Sequence, residues 1–161
     1  ALIETQNRVM SMSLVHKKMY QSANFSEIYL LDYCSQLMEN IKHLGKTKSF
    51  TSSIEINDSI YLDVEKAIPF GLILNEIMTN FFKYAISSND ELHLHIRLII
   101  DSDILVQLTV EDNGAGFPEK VLVGKSESFG IELIESLTEQ LDGEFKISNN
   151  AGAKYELNFN L

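Results

Sequence analysis

From residue 2 to about residue 20, apolar side chains recur at Ile3, Val9, Met10, Met12, Leu14, Val15 and Met19 among polar neighbours, a spacing that predicts a helix. The pattern breaks at 22–25, and Ser26 followed by Glu27 and Ile28 predicts the start of a second helix. That helix runs to about residue 43, with Leu30, Leu31, Cys34, Leu37, Met38 and Ile41 on its apolar face and Gly45 as its stop. Between 46 and 63 the period falls to two. Ile54 and Ile56, then Ile60 and Leu62, flank Asn57-Asp58-Ser59, which predicts a hairpin. Pro69 is expected to open a third helix reaching about residue 86. Strand-like runs follow at 92–100 and 105–111, then a fourth helix over about 130–141, then strands at 144–148 and 154–159. Hairpins alternating with helices predict an α+β fold, a mixed sheet covered by helices on one face. The only candidate boundary is the break near residue 22, which divides 1–22 from 23–161.

Composition narrows the possibilities. The chain has 161 residues and 45% hydrophobic content, enough for one ordinary domain with an attached helix. Its formal charge of -10 repels phosphate backbones, so no nucleic-acid partner is expected. Any phosphate must instead be held locally, by backbone amides, a metal and one or two lysines. A lone cysteine, Cys34, excludes an internal disulfide and multi-cysteine zinc sites, and its apolar setting predicts burial. No apolar run approaches the ~20 residues of a membrane span, and the first residues lack a signal-peptide pattern. A cytoplasmic chain with no membrane contact in this segment is the expectation.

Three constellations carry candidate chemistry. In the third helix, at roughly 100° per residue, Glu76, Asn80, Lys83 and Tyr84 share one polar stripe opposite Leu74, Ile77, Met78 and Phe81. An amide oxygen beside a carboxylate suits magnesium, and a lysine one turn on can neutralise phosphate. Read alone, the stripe also fits an ordinary helix facing water. Asp112 then ends a strand directly before Asn113-Gly114-Ala115-Gly116, where glycines let a ligand approach the main chain. A carboxylate there can accept from an amine such as that of adenine, although Asn-Gly is also a common hairpin turn. Finally, Ser126-Glu127-Ser128-Phe129-Gly130 precedes a helix, which offers either an anion site or a plain cap.

The order of these boxes resembles the N box and two glycine boxes of the Bergerat-fold ATPases, the superfamily of gyrase-type enzymes and histidine kinases. AIPFGLILNEIMTNFFKYAI, VEDNGAGFPE, SFGIELIESLTEQLDGEFKI and the closing GAKYELNF are similar to one histidine kinase subclass with a short lid. NRVMSMSLVHKKMYQSANFSEIYLLDY resembles that subclass's second dimerisation helix and its junction to the ATPase. The resemblance implies a Bergerat-type two-layer α/β sandwich preceded by a dimerisation helix. It implies ATP and magnesium as ligands, a homodimer through the N-terminal helix, and a response regulator receiver domain as partner.

Carried over residue by residue, the resemblance puts Asn80 on magnesium, Glu76 at the acid position of the helix, and Lys83 toward phosphate. Tyr84 would flank the nucleotide and Asp112 would accept the adenine amine. Gly114 and Gly116 would shape the pocket floor. Residues 117–129, from Phe117 through Ser128 to Phe129, would form the lid, and Gly130 would admit phosphates to the helix start. Phe81, where the family carries a small residue, is placed to crowd the pocket. His16 matches a histidine of the dimerisation helix but lies outside the acceptor box, which is expected upstream of residue 1. His43, His93 and His95 are expected in structural or solvent-facing roles. The implied function is phosphoryl transfer from ATP to a histidine. A Bergerat ATPase or anti-sigma-type serine kinase, and a degenerate non-catalytic dimerisation module, remain as alternatives.

Overall fold

The computed structural model describes residues 2–21, 27–44, 50–57, 59–85, 91–101, 104–124 and 129–161. In chain order the elements are α1 (Leu2–Gln21), β1 (Glu27–Tyr29), α2 (Leu30–Leu44), β2 (Phe50–Ile56), β3 (Tyr61–Asp63) and α3 (Val64–Asn80). A π-helical turn (Phe81–Ala85) extends α3 and leads to β4 (Leu92–Asp101) and β5 (Leu105–Asp112). The chain ends with α4 (Glu119–Leu122), α5 (Phe129–Gln140), β6 (Glu144–Asn149) and β7 (Ala153–Asn160).

The main sheet has the order β2-β4-β5-β7-β6, with β2 parallel to β4 and every other pair antiparallel. Alternation decides its two faces. Leu94, Ile96 and Leu98 on β4, Val106, Leu108 and Val110 on β5, and Tyr155, Leu157 and Phe159 on β7 are all buried. Their neighbours His93, His95, Arg97, Thr109, Lys154 and Glu156 form a partly exposed polar face. Helices α3 and α5 pack together in the layer that covers the apolar side. The expected mixed α+β architecture is what the chain forms.

Three local expectations are corrected. The pattern at 54–62 is no hairpin: β2 pairs with β4, while β3 pairs antiparallel with β1 in a separate two-stranded sheet. Asn57, expected in a turn, instead fastens the end of β2, its Oδ1 accepting from the Ile100 N–H at 3.0 Å. Residues 27–29 form a strand, so the second helix begins only at Leu30. Buried Ile28 and Leu62 face each other there, and the Leu30 N–H still donates to the Ile60 carbonyl at 2.9 Å. Helix α3 begins at Val64, because the Asp63 carboxylate caps it by accepting from the Lys66 N–H at 2.8 Å. Pro69 sits inside this helix with its ring buried. The expected stop at Gly45 and the turn at Asp58 lie outside the described residues.

Helix α1 packs on α3 and α2 rather than on the main sheet. Its buried positions Asn7, Ser11, Leu14, Val15 and Lys18 follow helical spacing along one face. Ser11 Oγ meets Tyr33 Oη at 2.9 Å, and Lys18 forms an ion pair with Asp32. Cys34 is fully buried beside this seam, and burial pushes its thiol up to about 12.

Candidate functional site

At the carboxyl end of α3 a cavity of about 610 Å3 opens between that helix, the glycine-rich loop after β5 and the start of α5. Glu76, Asn80, Lys83 and Tyr84 all line it. The first two line it from the regular helix and the last two from the π turn. Phe81 turns away. It is 2% exposed, packed edge-on against Phe50 and Phe82 with ring centroids 5.5 and 5.2 Å away. The expected crowding of the pocket by Phe81 is therefore corrected: its ring fills the core.

Asp112 is 9% exposed at the opposite wall. Its Oδ1 accepts from the Gly114 N–H at 2.8 Å and the Ala153 N–H at 3.1 Å. Two fixed donors on one oxygen orient the carboxylate and leave Oδ2 for a ligand's donor. Gly114 makes this wall possible, because a Cβ there would stand 2.5 Å from the Cα and Cβ of Ala85. It lies behind the cavity surface rather than on it. Gly116 lines the cavity at φ +72°, a left-handed conformation that glycine adopts without strain.

Beyond the glycines, Phe117 is held by a reciprocal pair: its N–H donates to Asn149 Oδ1 at 2.8 Å, and Asn149 Nδ2 donates to its carbonyl at 3.0 Å. This sets the Phe117 ring edge-on to Tyr155 at 5.0 Å. The Tyr155 hydroxyl faces the Asn80 side chain, and burial raises its pKa well above the ordinary tyrosine range. Gly130 brings the first turn of α5 over the polar stripe, since a Cβ there would lie 3.4 Å from Glu76 Oε2 and 3.6 Å from Asn80 Oδ1. Phe129 also lines the cavity, whereas Ser128 lies outside the described residues.

Sequence reasoning missed four participants. Arg8 of α1 reaches Glu76 with two bonds, Nε to Oε1 at 2.7 Å and Nη2 to Oε2 at 3.0 Å, and also lines the cavity. No local pattern links residues 68 positions apart. Tyr155 and Asn149 sit on strands whose alternation signals burial but not hydrogen bonding. Gly152 falls in the turn between the last two strands, yet a Cβ there would be 2.0 Å from the Asp112 carbonyl oxygen. The histidines whose side chains are described stay apart from the cavity. His16 is exposed on α1, and His93 and His95 lie on the polar sheet face bonded to Thr51 and Ser53. The side chain of His43 is outside the described residues.

Residues 65–161 match the family model described as histidine kinase-, DNA gyrase B-, and HSP90-like ATPase, and residues 1–45 match one described as histidine kinase. Blue-light-activated histidine kinase 2 of Erythrobacter litoralis is 24% identical over 116 residues, 72% of this chain and 33% of that protein. Sensor histidine kinase PdtaS of Mycolicibacterium smegmatis is 24% identical over 144 residues, 89% of this chain and 29% of that protein. The chain thus spans about a third or less of the length of these relatives. Among solved structures, the histidine kinase domain of an Erythrobacter litoralis blue-light-activated histidine kinase superposes with TM-score 0.84 at 22% identity. That likeness covers 97% of this chain and 74% of the other. The catalytic domain of histidine kinase ThkA gives TM-score 0.65 at 13% identity, over 84% and 94% of the two chains. Both are likenesses of fold. No helix among the described residues is long and apolar enough to cross a membrane.

Proposed function

Since this chain belongs to the histidine kinase-, DNA gyrase B-, and HSP90-like ATPase family, we propose that it is the ATP-binding, phosphoryl-donating part of a sensor histidine kinase. On this reading residues 1–22 are the second helix of a dimerisation domain and 23–161 are the ATPase. The γ-phosphoryl group passes to a histidine in an acceptor box upstream of residue 1, and from there to an aspartate on a response regulator receiver domain. The full-length protein pairs as a homodimer through the N-terminal helix.

Asp112 carries the reading. A buried carboxylate with one oxygen already bonded to two backbone amides is an acceptor-only group aimed at a cavity wall. It complements the exocyclic amine of adenine and opposes the carbonyl of guanine. Across the cavity, Asn80 supplies a hard amide oxygen beside Tyr155. That donor fits a magnesium ion, which keeps most of its shell in water and phosphate oxygens. Magnesium supplies charge neutralisation on the phosphates when bound. Lys83 adds positive charge at the same wall, Tyr84 and Phe117 flank the base, and Gly130 leaves room at the α5 start for phosphate oxygens. Glu76 stands one turn before Asn80 and serves to orient or deprotonate the attacking imidazole nitrogen. Positioning and charge carry such a transfer.

Calorimetric titration with ATP and GTP, with and without magnesium, tests this reading. ATP should bind at least tenfold more tightly than GTP, and magnesium should strengthen it. Equal affinity for the two nucleotides would remove the adenine assignment and the reading with it.

A further inference from the structure

We propose, resting on the adenine-binding reading above, that Asn149 is a positioning residue for the base. Asn149 ends β6 and does not itself line the cavity. Its side chain sets the Phe117 ring against the face of adenine, while the same hairpin end holds Asp112 at the edge.

The Asn149 amide serves both backbone groups of a single residue. Its Oδ1 accepts from the Phe117 N–H at 2.8 Å, and its Nδ2 donates to the Phe117 carbonyl at 3.0 Å. A neighbouring β-strand would make the same exchange, which holds the peptide plane on each side of Phe117. Pro118 prepares the contact, because the residue before a proline is driven to extended backbone. With both flanking peptides held, the direction of the Phe117 Cβ is set, and the ring stands edge-on to Tyr155 at 5.0 Å between centroids. Both rings line the cavity. Asn149 also packs over Gly116, where a Cβ would lie 2.8 Å from its Oδ1. One amide therefore spans the last two residues of the glycine-rich loop from behind the cavity wall.

The same hairpin end grips the start of that loop. Asn149 pairs across the hairpin with Ala153, whose N–H donates to Asp112 Oδ1 at 3.1 Å. Gly152 lies so close that a Cβ would meet the Asp112 carbonyl oxygen at 2.0 Å. Asn150 Nδ2 donates to Glu111 Oε1 at 3.2 Å. Residues 149–153 thus hold the loop at its entry, Glu111 and Asp112, and at its exit, Gly116 and Phe117. An adenine ring is flat, so its amine and its face must be met in a fixed relation. Asp112 meets the amine through a directional hydrogen bond, and Phe117 meets the face through ring contact. The hairpin end fixes both, and the Asn149 amide is its link to Phe117. Asn149 is exposed, so replacing it removes the link and leaves the core packing alone.

Calorimetric titration of the whole chain with adenosine and with magnesium-ATP tests this, using Asn149→Ala, Asn149→Asp, Asn149→Gln, Phe117→Ala and the double alanine variant. Asn149→Ala should bind both ligands about fivefold more weakly, by the same factor, since only the base contact is disturbed. Asn149→Asp matches asparagine in size but turns a carboxylate oxygen toward the Phe117 carbonyl, so it should bind no better than the alanine variant. Asn149→Gln keeps both donor and acceptor and should recover part of the loss. In the Phe117→Ala background, Asn149→Ala should cost nothing further, because the amide acts through that ring. An equal cost with and without the ring would overturn the proposal and make Asn149 a general brace of the fold. If the wild-type chain binds neither ligand, the adenine-binding reading falls and takes the proposal with it. If the wild type binds both and Asn149→Ala matches it, the proposal falls alone.

Discussion

The carboxylate of Asp112 accepts the backbone N–H of Ala153 at 3.1 Å, tying the last residue of β5 to the first residue of β7. The residue proposed to read the base therefore also closes the sheet at this corner. Asp112→Ala removes the ligand acceptor and strands two backbone donors, each costing about 1–3 kcal/mol when buried. ATP affinity should fall at least tenfold and the urea midpoint should drop. Asp112→Asn keeps one oxygen for the backbone, so it should lose ATP affinity to a similar degree with a smaller change in midpoint. A full-affinity Asp112→Ala protein would contradict the assignment.

Asn80 sits between the acid of its own helix and the Tyr155 hydroxyl. Asn80→Ala should abolish the magnesium dependence of ATP binding while leaving adenosine binding within about twofold, a change worth well under 1 kcal/mol. Titrating the variant with adenosine and with magnesium-ATP separates the two contributions. Persistence of the magnesium effect would reduce the polar stripe of α3 to a solvated face.

Gly114 and Gly124 offer a paired comparison. A Cβ on Gly114 meets Ala85 at 2.5 Å, so Gly114→Ala must displace backbone and should cost about 1–3 kcal/mol, like other overpacked sites. Gly124 has φ +67° with nothing within 4 Å of a new Cβ, so Gly124→Ala carries only the left-handed backbone penalty of ~1–2 kcal/mol. Both should lower the melting temperature. Only Gly114→Ala should also weaken ATP binding, because Ala85 lines the cavity.

Alkaline pH should destabilise the fold through groups that burial keeps protonated. The Cys34 thiol is raised from 9.0 to about 12, and the Tyr33 hydroxyl is raised by burial with Ser11 partly opposing. The unfolded chain releases these protons first. Their contribution is thus complete below about pH 9 and is lost as pH climbs toward the folded values, at ~1.4 kcal/mol per pH unit for each group. Urea unfolding followed across this range should show falling stability, with a shallower fall in Cys34→Ala. Equal slopes for the two proteins would mean that the thiol is already titrating in the native state.

Legibility in the sequence follows the range of the interactions. The core strands at 92–100 and 105–111 are readable because alternation is a local record of a two-faced sheet. A slip of one residue in β4 would turn its buried row of Leu94, Ile96 and Leu98 out to the polar face, so the pattern also holds the register. The candidate site is readable because Glu76, Asn80, Lys83 and Tyr84 share one helix, and Asp112, Gly114 and Gly116 share one loop.

What fails depends on partners distant in the chain. Ile54 and Ile56 alternate as a hairpin strand would, yet their partners are Ile96 and Leu98. Pro69 outweighs the true signal for the start of α3, which is Asp63, three residues before the Lys66 amide it caps. Arg8 cannot be placed at all, since only the packing of α1 on α3 brings it to Glu76.

The π turn at the end of α3 has a genetic consequence. A π turn is equivalent to one residue of slack inserted in an α-helix. Deleting a single codon within 81–85 would take up that slack and let the turn tighten to regular α-helix, so the segments on either side keep their phase. Glu76 and Asn80 upstream would keep their places, and the wall would be shortened by one residue without being re-aimed. One frame-preserving deletion is thus a change that this corner of the fold can absorb.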